Sequence, residues 1–268
     1  MALTADQQDL LDRIHRVLHG DAEVEAAWLG GSLGCGAGDA FSDVDVVVLV
    51  GGGAATIVGR RYGQDVSRIA EPALVTTLFG GRVQSVVTLD WRRFDLSFVE
   101  AGELGRFDAD RLTPLFNRGE RSPPRGHTPP YQTTPETVLA LVDEFLRILG
   151  LLVVGVGREE YVLGLAGADI MRRLTVDLML EENGVGPVER GGALRRNPLL
   201  TAQQRRELAS LAPVSADRGG IITASVSLAA IFLPRARRLA TRIGAAWPEA
   251  FEAATRRHLE ERLGLVLE

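Results

Sequence analysis

Residues 30–50 read GGSLGCGAGDAFSDVDVVVLV, a glycine-rich loop that leads through two carboxylates into an apolar run. The run from Val46 to Val50 is unbroken and mostly β-branched, which predicts a strand buried on both faces. Asp43 and Asp45 lie at its start, and because side chains alternate across a strand they point the same way, with Cα atoms about 6.5 Å apart. Carboxylate oxygens suit Mg²⁺, which completes its coordination with water and substrate phosphate. The pair therefore predicts a site for divalent cations.

The glycine-rich loop supplies the second half of this pattern. Gly30 and Gly31 allow the backbone to approach a ligand closely, and Ser32 offers a hydroxyl and a backbone N–H to phosphate oxygens. Ser42 is predicted either to cap the turn into the strand or to contact the ligand, and Asp39 to be a loop or cap residue. A phosphate-binding turn beside two carboxylates is typical of a nucleoside triphosphate site.

Gly31-Ser32 followed by Asp43-x-Asp45 resembles the signature of the DNA polymerase β-like nucleotidyltransferase superfamily. The local pattern resembles the antibiotic-adenylylating branch, which includes aminoglycoside and lincosamide nucleotidyltransferases. The resemblance covers residues 24–100 and implies an α+β fold, in which an N-terminal nucleotidyltransferase domain with a mixed sheet and flanking helices precedes a C-terminal α-helical bundle. One departure is Cys35, which stands where many related enzymes carry an arginine, so the phosphate contact of that arginine is not carried over.

The superfamily resemblance also implies a third carboxylate on a later, adjacent strand. Residues 83–88 and 92–99 have the pattern of a β-hairpin around the turn Leu89-Asp90-Trp91. Asp95, inside the second strand, is the best candidate for this carboxylate, whereas Asp90 in the turn and Glu100 at the strand end are poorer ones. The resemblance implies that Asp95 either completes the metal site or acts as the general base toward the acceptor hydroxyl.

The implied activity is metal-dependent transfer of a nucleoside monophosphate, AMP from ATP, to a hydroxyl of a small molecule such as an aminoglycoside or a lincosamide, with release of pyrophosphate. The implied catalytic and metal-binding residues, for two Mg²⁺ ions, are Asp43, Asp45 and Asp95. The implied nucleotide-binding residues are Gly31, Ser32 and Ser42. Two alternatives stay open: an antitoxin-like minimal nucleotidyltransferase that modifies a protein partner, and a nucleotide-binding module without turnover. The acceptor, the base of the donor and the oligomeric state also stay open.

Composition excludes several other classes of protein. The net charge is −5, and all 30 basic residues are arginine. Without lysine the chain has neither a Walker-type phosphate loop nor a Schiff-base amine. The acidic balance argues against duplex DNA as a partner and favours a cationic substrate. No basic stripe interleaved with aromatic residues is present, which disfavours transfer to RNA ends.

The chain has one cysteine and therefore no intrachain disulfide. Residues 1–20 lack the apolar core of a signal peptide, and no uncharged run reaches about 18 residues, the length needed to span a bilayer. These features predict a cytoplasmic protein without a membrane span.

The domain organisation follows from a segment rich in proline. Residues 118–134 hold four prolines and are otherwise polar, which predicts a linker between a catalytic domain, residues 1–117, and a helical substrate-binding domain, residues 135–268. Capping boxes at Thr4 with Gln7 and at Thr201 with Gln204 predict the starts of two helices. The elements predicted outside the central pattern are a helix from Thr4 to Gly20, a strand over 24–29, a helix over 54–70, a strand over 73–79, and helices over 134–152, 158–183, from 201, 221–242 with a break near Pro234, and 248–263.

A helical bundle beside the catalytic sheet predicts a substrate cleft between the domains. Acidic substrate-binding candidates on the long second helix of the bundle are Glu159, Glu160, Asp169 and Asp177. For Asp169 we also expect the simpler role of pairing with Arg172 or Arg173 on an exposed helix face. Basic candidates for a phosphate contact, or for a solvated loop, are Arg190, Arg195 and Arg196. His258 is predicted to lie on a helix surface.

Overall fold

The computed structural model describes residues 3–119, 121–126, 130–190 and 196–267. The chain separates into two compact units, residues 1–129 and 130–268. The point at which they meet lies within the segment predicted as a linker. Each unit is described by itself below.

The first unit contains a six-stranded mixed sheet flanked by helices. Strand order is β3-β4-β5-β2-β1-β6, in which β2 and β5 are parallel and every other neighbouring pair is antiparallel. The strands are β1 (Val24–Leu29), β2 (Val44–Val50), β3 (Pro72–Leu78), β4 (Val83–Thr88), β5 (Arg93–Val99) and β6 (Thr113–Asn117). The helices are α1 (Ala5–His19), α2 (Gly31–Gly34) and α3 (Ala55–Gln64). Together with the helical second unit, this confirms the predicted α+β fold class.

Strand β2 lies inside the sheet because both of its faces are apolar beyond Asp45. Alternate residues, Val44, Val46 and Val48, are buried in a core formed with α1 and α3. The intervening residues Val47 and Leu49 are buried in a smaller core on the opposite face. The predicted strand, buried on both faces, is therefore confirmed, and Asp45 belongs to the face of the smaller core.

The structure of the first unit differs from the predictions at three elements. Helix α3 ends at Gln64, and the rest of the segment predicted as helix forms the 3-10 turn Val66–Arg68, with the side chains of Val66 and Ile69 buried in the hydrophobic core. Strand β6 was not predicted, since it is a short edge strand that contains a proline. Helix α2 was not predicted either, because its glycine-rich sequence has low helix propensity.

The second unit is helical throughout its described residues, apart from connecting segments. Its helices are α4 (Pro135–Gly157), α5 (Tyr161–Glu182), α6 (Pro187–Arg190), α7 (Ala202–Ala209), α8 (Arg218–Ile243) and α9 (Glu249–Leu263). Helices α4, α5, α8 and α9 enclose one hydrophobic core, in which Phe145 of α4 stacks on Phe232 of α8. Helix α7 begins at the predicted capping box of Thr201 and Gln204.

The predicted break near Pro234 is wrong, because α8 continues through this residue. A proline removes one backbone hydrogen bond and costs about 3 kcal/mol inside a helix. The neighbouring side chains of Phe232, Leu233 and Ala236 are buried in the core, and their packing offsets that cost. Helix α8 is also the one helix in the described part of the chain that is long and apolar enough, by length and composition alone, to span a bilayer.

Candidate nucleotide site

Two of the three predicted carboxylates are direct neighbours in the sheet. Strands β2 and β5 run parallel, and Asp45 is the register partner of Asp95. On the other side of β5, Asp95 is the register partner of Ser85 in β4, and the Ser85 hydroxyl donates a hydrogen bond to its carboxylate. Asp43 directly precedes β2, two residues from Asp45. The structure thus brings together the three residues that the sequence suggested.

The electrostatics of these carboxylates are unfavourable in the absence of a cation. Burial raises the pKa of Asp45 to about 6, with further increases from the charges of Asp43 and Asp95, while Arg93 opposes the shift. Burial also raises the pKa of Asp95, which the hydrogen bond from Ser85 partly offsets. Carboxylates that are half-buried and face one another are stabilised by any group that adds positive charge between them.

Arg93 is the cation that acts on all three carboxylates. It occupies the position in β5 two residues before Asp95, and its guanidinium Nη1 lies 3.8 Å from Asp43 Oδ2. Its Nη2 donates a hydrogen bond of 3.2 Å to the backbone oxygen of Phe41. Because the Asp43 contact is longer than a hydrogen bond, Arg93 offsets the charge of the cluster without forming a close pair.

The turn that follows β1 approaches Asp45 so closely that only glycine fits. The backbone N–H of Gly30 donates to the Asp45 carbonyl oxygen at 2.8 Å. A Cβ added at Gly31 would lie 1.8 Å from Asp45 Oδ2, and the residue has a φ of +57°, which favours glycine. Gly31 and Ser32 therefore open the single helical turn α2 directly beside the carboxylate.

The loop between α2 and β2 is held by hydrogen bonds from both ends. The Ser32 hydroxyl donates to Ser42 Oγ at 2.9 Å, and Ser42 Oγ accepts from the backbone N–H of Asp39 at 3.0 Å. The buried side chain of Gln7, in the first turn of α1, donates through Nε2 to the carbonyl oxygens of Asp39 and Ser42 at 2.8 and 3.0 Å. The predicted capping role of Ser42 is thus present, and its contact with a nucleotide stays a prediction.

The residues of the site suit a magnesium-bound nucleotide. Asp43, Asp45 and Asp95 present oxygen ligands of the type that Mg²⁺ prefers, and their mutual repulsion would be relieved by bound cations. The Asp45 carboxylate occupies the place where a Cβ at residue 31 would lie, so glycine at this position allows the phosphate-binding turn to lie directly against the carboxylate. Among the described residues, no three His, Cys, Asp or Glu side chains lie close enough together to coordinate one metal ion without moving.

Several other predicted candidates have structural partners. Asp90 lies in the exposed β4–β5 turn beside Arg92, and Glu100 follows β5 and pairs with Arg82, as expected for poorer candidates. Cys35 follows α2 and its thiol donates to the Ser32 carbonyl oxygen at 3.5 Å.

In the second unit most of the charged candidates are also paired. Asp169 pairs with Arg173 on an exposed face of α5, and Asp177 pairs with Arg196 at 2.6 Å. Arg190 pairs with the buried Glu181. These pairs support structural roles for the residues concerned. Glu159, Glu160 and His258 are exposed, and Arg195 lies outside the described residues.

Sequence reasoning missed Ser85, Arg93 and Gln7. Arg93 is two residues before Asp95 and Ser85 lies in the preceding strand, but their contacts with the carboxylates become visible only once β4, β5 and β2 are aligned. Gln7 was identified as part of a capping box with Thr4, and that box is present. Its second role, in holding the loop before Asp43, had no sequence signal.

Comparison with known proteins gives structural neighbours and no sequence relatives. No protein-family model matches the chain, and no curated protein matches it. An aminoglycoside 6-adenyltransferase from Bacillus subtilis is similar in structure with a TM-score of 0.45 and 14% identity, over 94% of this chain and 95% of that one. A CCA-adding enzyme in its apo form is similar with a TM-score of 0.36 and 14% identity, over 94% of this chain and 68% of that one. Both are polymerase β-like nucleotidyltransferases, the superfamily that the sequence resembles. Because both scores are low, we base the function on the residues of the site.

Proposed function

We propose that the protein is a nucleotidyltransferase that transfers AMP from ATP to a hydroxyl of a small molecule and releases pyrophosphate. The observation that carries this proposal is the register of β2 and β5, which pairs Asp45 with Asp95 directly, beside the turn at Gly31. Magnesium-dependent phosphoryl-group transfer depends mainly on positioning and on electrostatic stabilisation, which such a cluster supplies.

Each residue has a defined part in this proposal. Asp43, Asp45 and Asp95 would hold two Mg²⁺ ions, which when bound neutralise charge on the triphosphate and on the leaving pyrophosphate. Gly31 and Ser32 offer backbone N–H groups to the phosphate oxygens at the start of α2. The alternative role of Asp95 is to accept the proton of the acceptor hydroxyl as the general base.

The acceptor class is proposed from the resemblance to antibiotic-modifying enzymes. An aminoglycoside or a lincosamide is the first choice, and the acidic balance of the chain favours a cationic molecule. We also propose that the protein acts in the cytoplasm, without a nucleic-acid or membrane partner.

The test is transfer of radiolabelled AMP from ATP, with Mg²⁺, to a panel of aminoglycosides and lincosamides. We expect a labelled product with the wild type and a loss of at least about 10³-fold in rate for D45N and D95N, because each removes one negative ligand. The matched control is D12N, an exposed aspartate of α1, which should stay within about threefold of wild type.

The remaining outcomes separate the alternatives. ATP binding by calorimetry without transfer to any acceptor would identify a nucleotide-binding module. Label that appears on a protein of a cell extract, and not on a small molecule, would support the antitoxin-like alternative. Transfer that survives in D45N would contradict the assignment of the metal-binding residues.

A further inference from the structure

Trp91 combines two unfavourable features. It lies in the β4–β5 turn, 79% of its surface is exposed, and its φ of +62° belongs to the left-handed region. Its backbone N–H donates to the Thr88 carbonyl oxygen at 2.9 Å, as in a type I turn whose last residue is left-handed. Glycine or asparagine usually occupies such a position, because a larger side chain is strained there. Trp91 is thus a large aromatic residue at a position that glycine or asparagine would occupy with less backbone strain.

The turn that carries Trp91 is held firmly by its neighbours. Thr88 Oγ1 accepts from the backbone N–H of Arg92 at 2.9 Å, and Arg92 pairs with Asp9 of α1 at 2.8 Å. The backbone N–H of Leu89 donates to the Glu71 carbonyl oxygen at 3.1 Å. The conformation of Trp91 is therefore imposed by surrounding bonds, and strained residues that are held in this way occur preferentially at binding sites.

A second exposed aromatic residue lies at the same end of the sheet. Phe41 is 87% exposed, and its carbonyl oxygen accepts from Arg93, the residue that reaches Asp43. Residues of β2 and β5 pair with a constant offset, as Val44 with Phe94 and Asp45 with Asp95. Arg93, two residues after Trp91, contacts both the Phe41 carbonyl oxygen and Asp43, so Phe41 and Trp91 both lie near the end of the sheet at which β2 and β5 begin. We call these two residues the aromatic rim.

The position of the rim relative to the carboxylates indicates which substrate it contacts. The proposed phosphate-binding turn at Gly31 follows β1, on one side of β2, whereas Trp91 precedes β5, on the other side. In-line displacement places the attacking hydroxyl opposite the leaving pyrophosphate. The β5 side of the cluster is therefore the side from which the acceptor approaches.

We propose that the aromatic rim binds the acceptor, and that Trp91 stacks against the flat face of one of its rings; this inference rests on the proposed nucleotidyl transfer. Trp91 is four residues from Asp95, so their Cα atoms are at most about 14 Å apart. An acceptor of two or three rings is consequently long enough to react beside Asp95 and also touch Trp91. The ring on Trp91 is either aromatic or a sugar-like ring that presents its C–H face, since both stack on indole.

The test combines two substitutions of Trp91 with three measurements. W91G suits the positive φ and removes the indole, while W91F keeps an aromatic ring. For the acceptor found in the transfer assay, we expect W91G to raise KM at least tenfold with KM for ATP unchanged, and W91F to restore most of the affinity. W91G should not lower the melting temperature, which separates a binding role from a structural one.

The third measurement does not need turnover. The fluorescence of Trp91, taken as the difference between wild type and W91F, should change on titration with kanamycin, streptomycin or lincomycin in the presence of ATP and Ca²⁺. None of these three compounds has an aromatic ring, so a response to any of them shows that Trp91 stacks on a saturated ring. The control is F251A, which removes an exposed aromatic residue of the second unit and should leave every acceptor constant unchanged.

Some results would overturn the proposal. A change in Trp91 fluorescence with ATP alone, together with a higher KM for ATP in W91G, would show that the rim stacks the nucleobase. A fluorescence that responds to none of the ring compounds, or an acceptor KM that W91G leaves unchanged, would also reject it. If no compound of the panel is labelled from ATP while W91G still weakens the binding of a ring compound, the proposed function fails and the aromatic rim remains a binding surface.

Discussion

The buried carboxylates of the helical unit and the half-buried carboxylates of the sheet unit have opposite surroundings. In the helical unit each one has arginine partners: Glu181 pairs with Arg190, and Glu252 accepts from Arg237 at 2.6 Å and from Arg256. Although burial alone would raise it, the hydrogen bonds from Trp247, Arg256 and Arg237 hold the pKa of Glu252 below its usual range. In the sheet unit, Asp45 and Asp95 face each other, and the pKa of both is raised.

This difference separates carboxylates that stabilise a fold from carboxylates that await a ligand. A buried charge with a complete set of partners contributes little net energy but is costly to break. A buried charge beside like charges destabilises the folded protein until a bound cation neutralises it. The sheet unit therefore gives up stability at the place where the proposed reaction occurs.

A large loss of stability should come from breaking a complete pair. E181Q leaves the Arg190 guanidinium without its charge partner and weakens the hydrogen bond from the Tyr131 hydroxyl, which is 3.0 Å long. We expect the free energy of unfolding, measured with urea and circular dichroism, to fall by about 3 kcal/mol. A loss below about 0.5 kcal/mol would show that the pair does not stabilise the unit.

G31A should disturb the sheet unit in both stability and activity. The new Cβ would meet the Asp45 carboxylate, and alanine is strained at a φ of +57°. We expect a loss of about 2–4 kcal/mol in unfolding free energy and of at least 10²-fold in transfer rate. The matched control is G36A, which has a φ of +74° but no atom within 4 Å, and should lose only about 1 kcal/mol. Equal losses in the two variants would reject a close approach at Gly31.

D45N should stabilise the protein when no metal is present. Removing the charge relieves burial and the repulsion from Asp43 and Asp95, so we expect a gain of roughly 1–3 kcal/mol at pH 7 in EDTA. Because the pKa of Asp45 is about 6 in the folded protein and 3.8 in the unfolded chain, the folded state holds the proton more tightly. The wild type should consequently lose stability as pH rises from about 4 to 6.5.

The same pH series in D45N provides the control. Its unfolding free energy should decrease less over the same range of pH, because Asp45 no longer titrates while Asp95 still does. A variant less stable than the wild type at pH 7 in EDTA would contradict the electrostatic account of the site.

Q7E compares the two capping boxes of the chain. The carboxylate keeps the acceptor for the Thr4 N–H but loses the donor to Asp39 and Ser42, which should cost about 1–3 kcal/mol and lower kcat about tenfold. Q204E makes the same change in the box of Thr201 and should lower stability while kcat stays unchanged. If kcat falls equally in both, Gln7 has no specific part in placing the loop.

The smallest effect is expected for D169N on the exposed face of α5. Its pair with Arg173 is solvent-exposed, so we expect a change within about 0.5 kcal/mol in unfolding free energy. The KM for the acceptor should be unchanged as well. A large increase in that KM would restore Asp169 as a substrate-binding residue.

How far sequence reasoning reached depended on how local each feature is. The capping boxes at Thr4 and Thr201, the β4–β5 hairpin and the buried strand over 44–50 follow from patterns within a few residues. The end of α3 and the continuity of α8 through Pro234 depend on what packs against them, so local propensity misjudged both.

The same limit applies to the site. Asp43, Asp45 and Gly31 lie within one continuous motif, and Asp95 was chosen from a hairpin and a resemblance. Ser85 and Arg93 act on the carboxylates across the sheet, at positions that no local spacing identifies.

From its order of residues alone, this chain determined that a glycine turn and two carboxylates enter a buried strand, because alternation along a strand is a property of the backbone. Tertiary structure decided which groups stand beside them, since the register of β2 with β5 pairs Asp45 with Asp95 and leaves both short of positive charge. It also decided that Trp91, in the turn before β5, stays exposed and strained. This turn is held because Arg92 pairs with Asp9 of α1 and the backbone N–H of Leu89 donates to Glu71, the residue before β3.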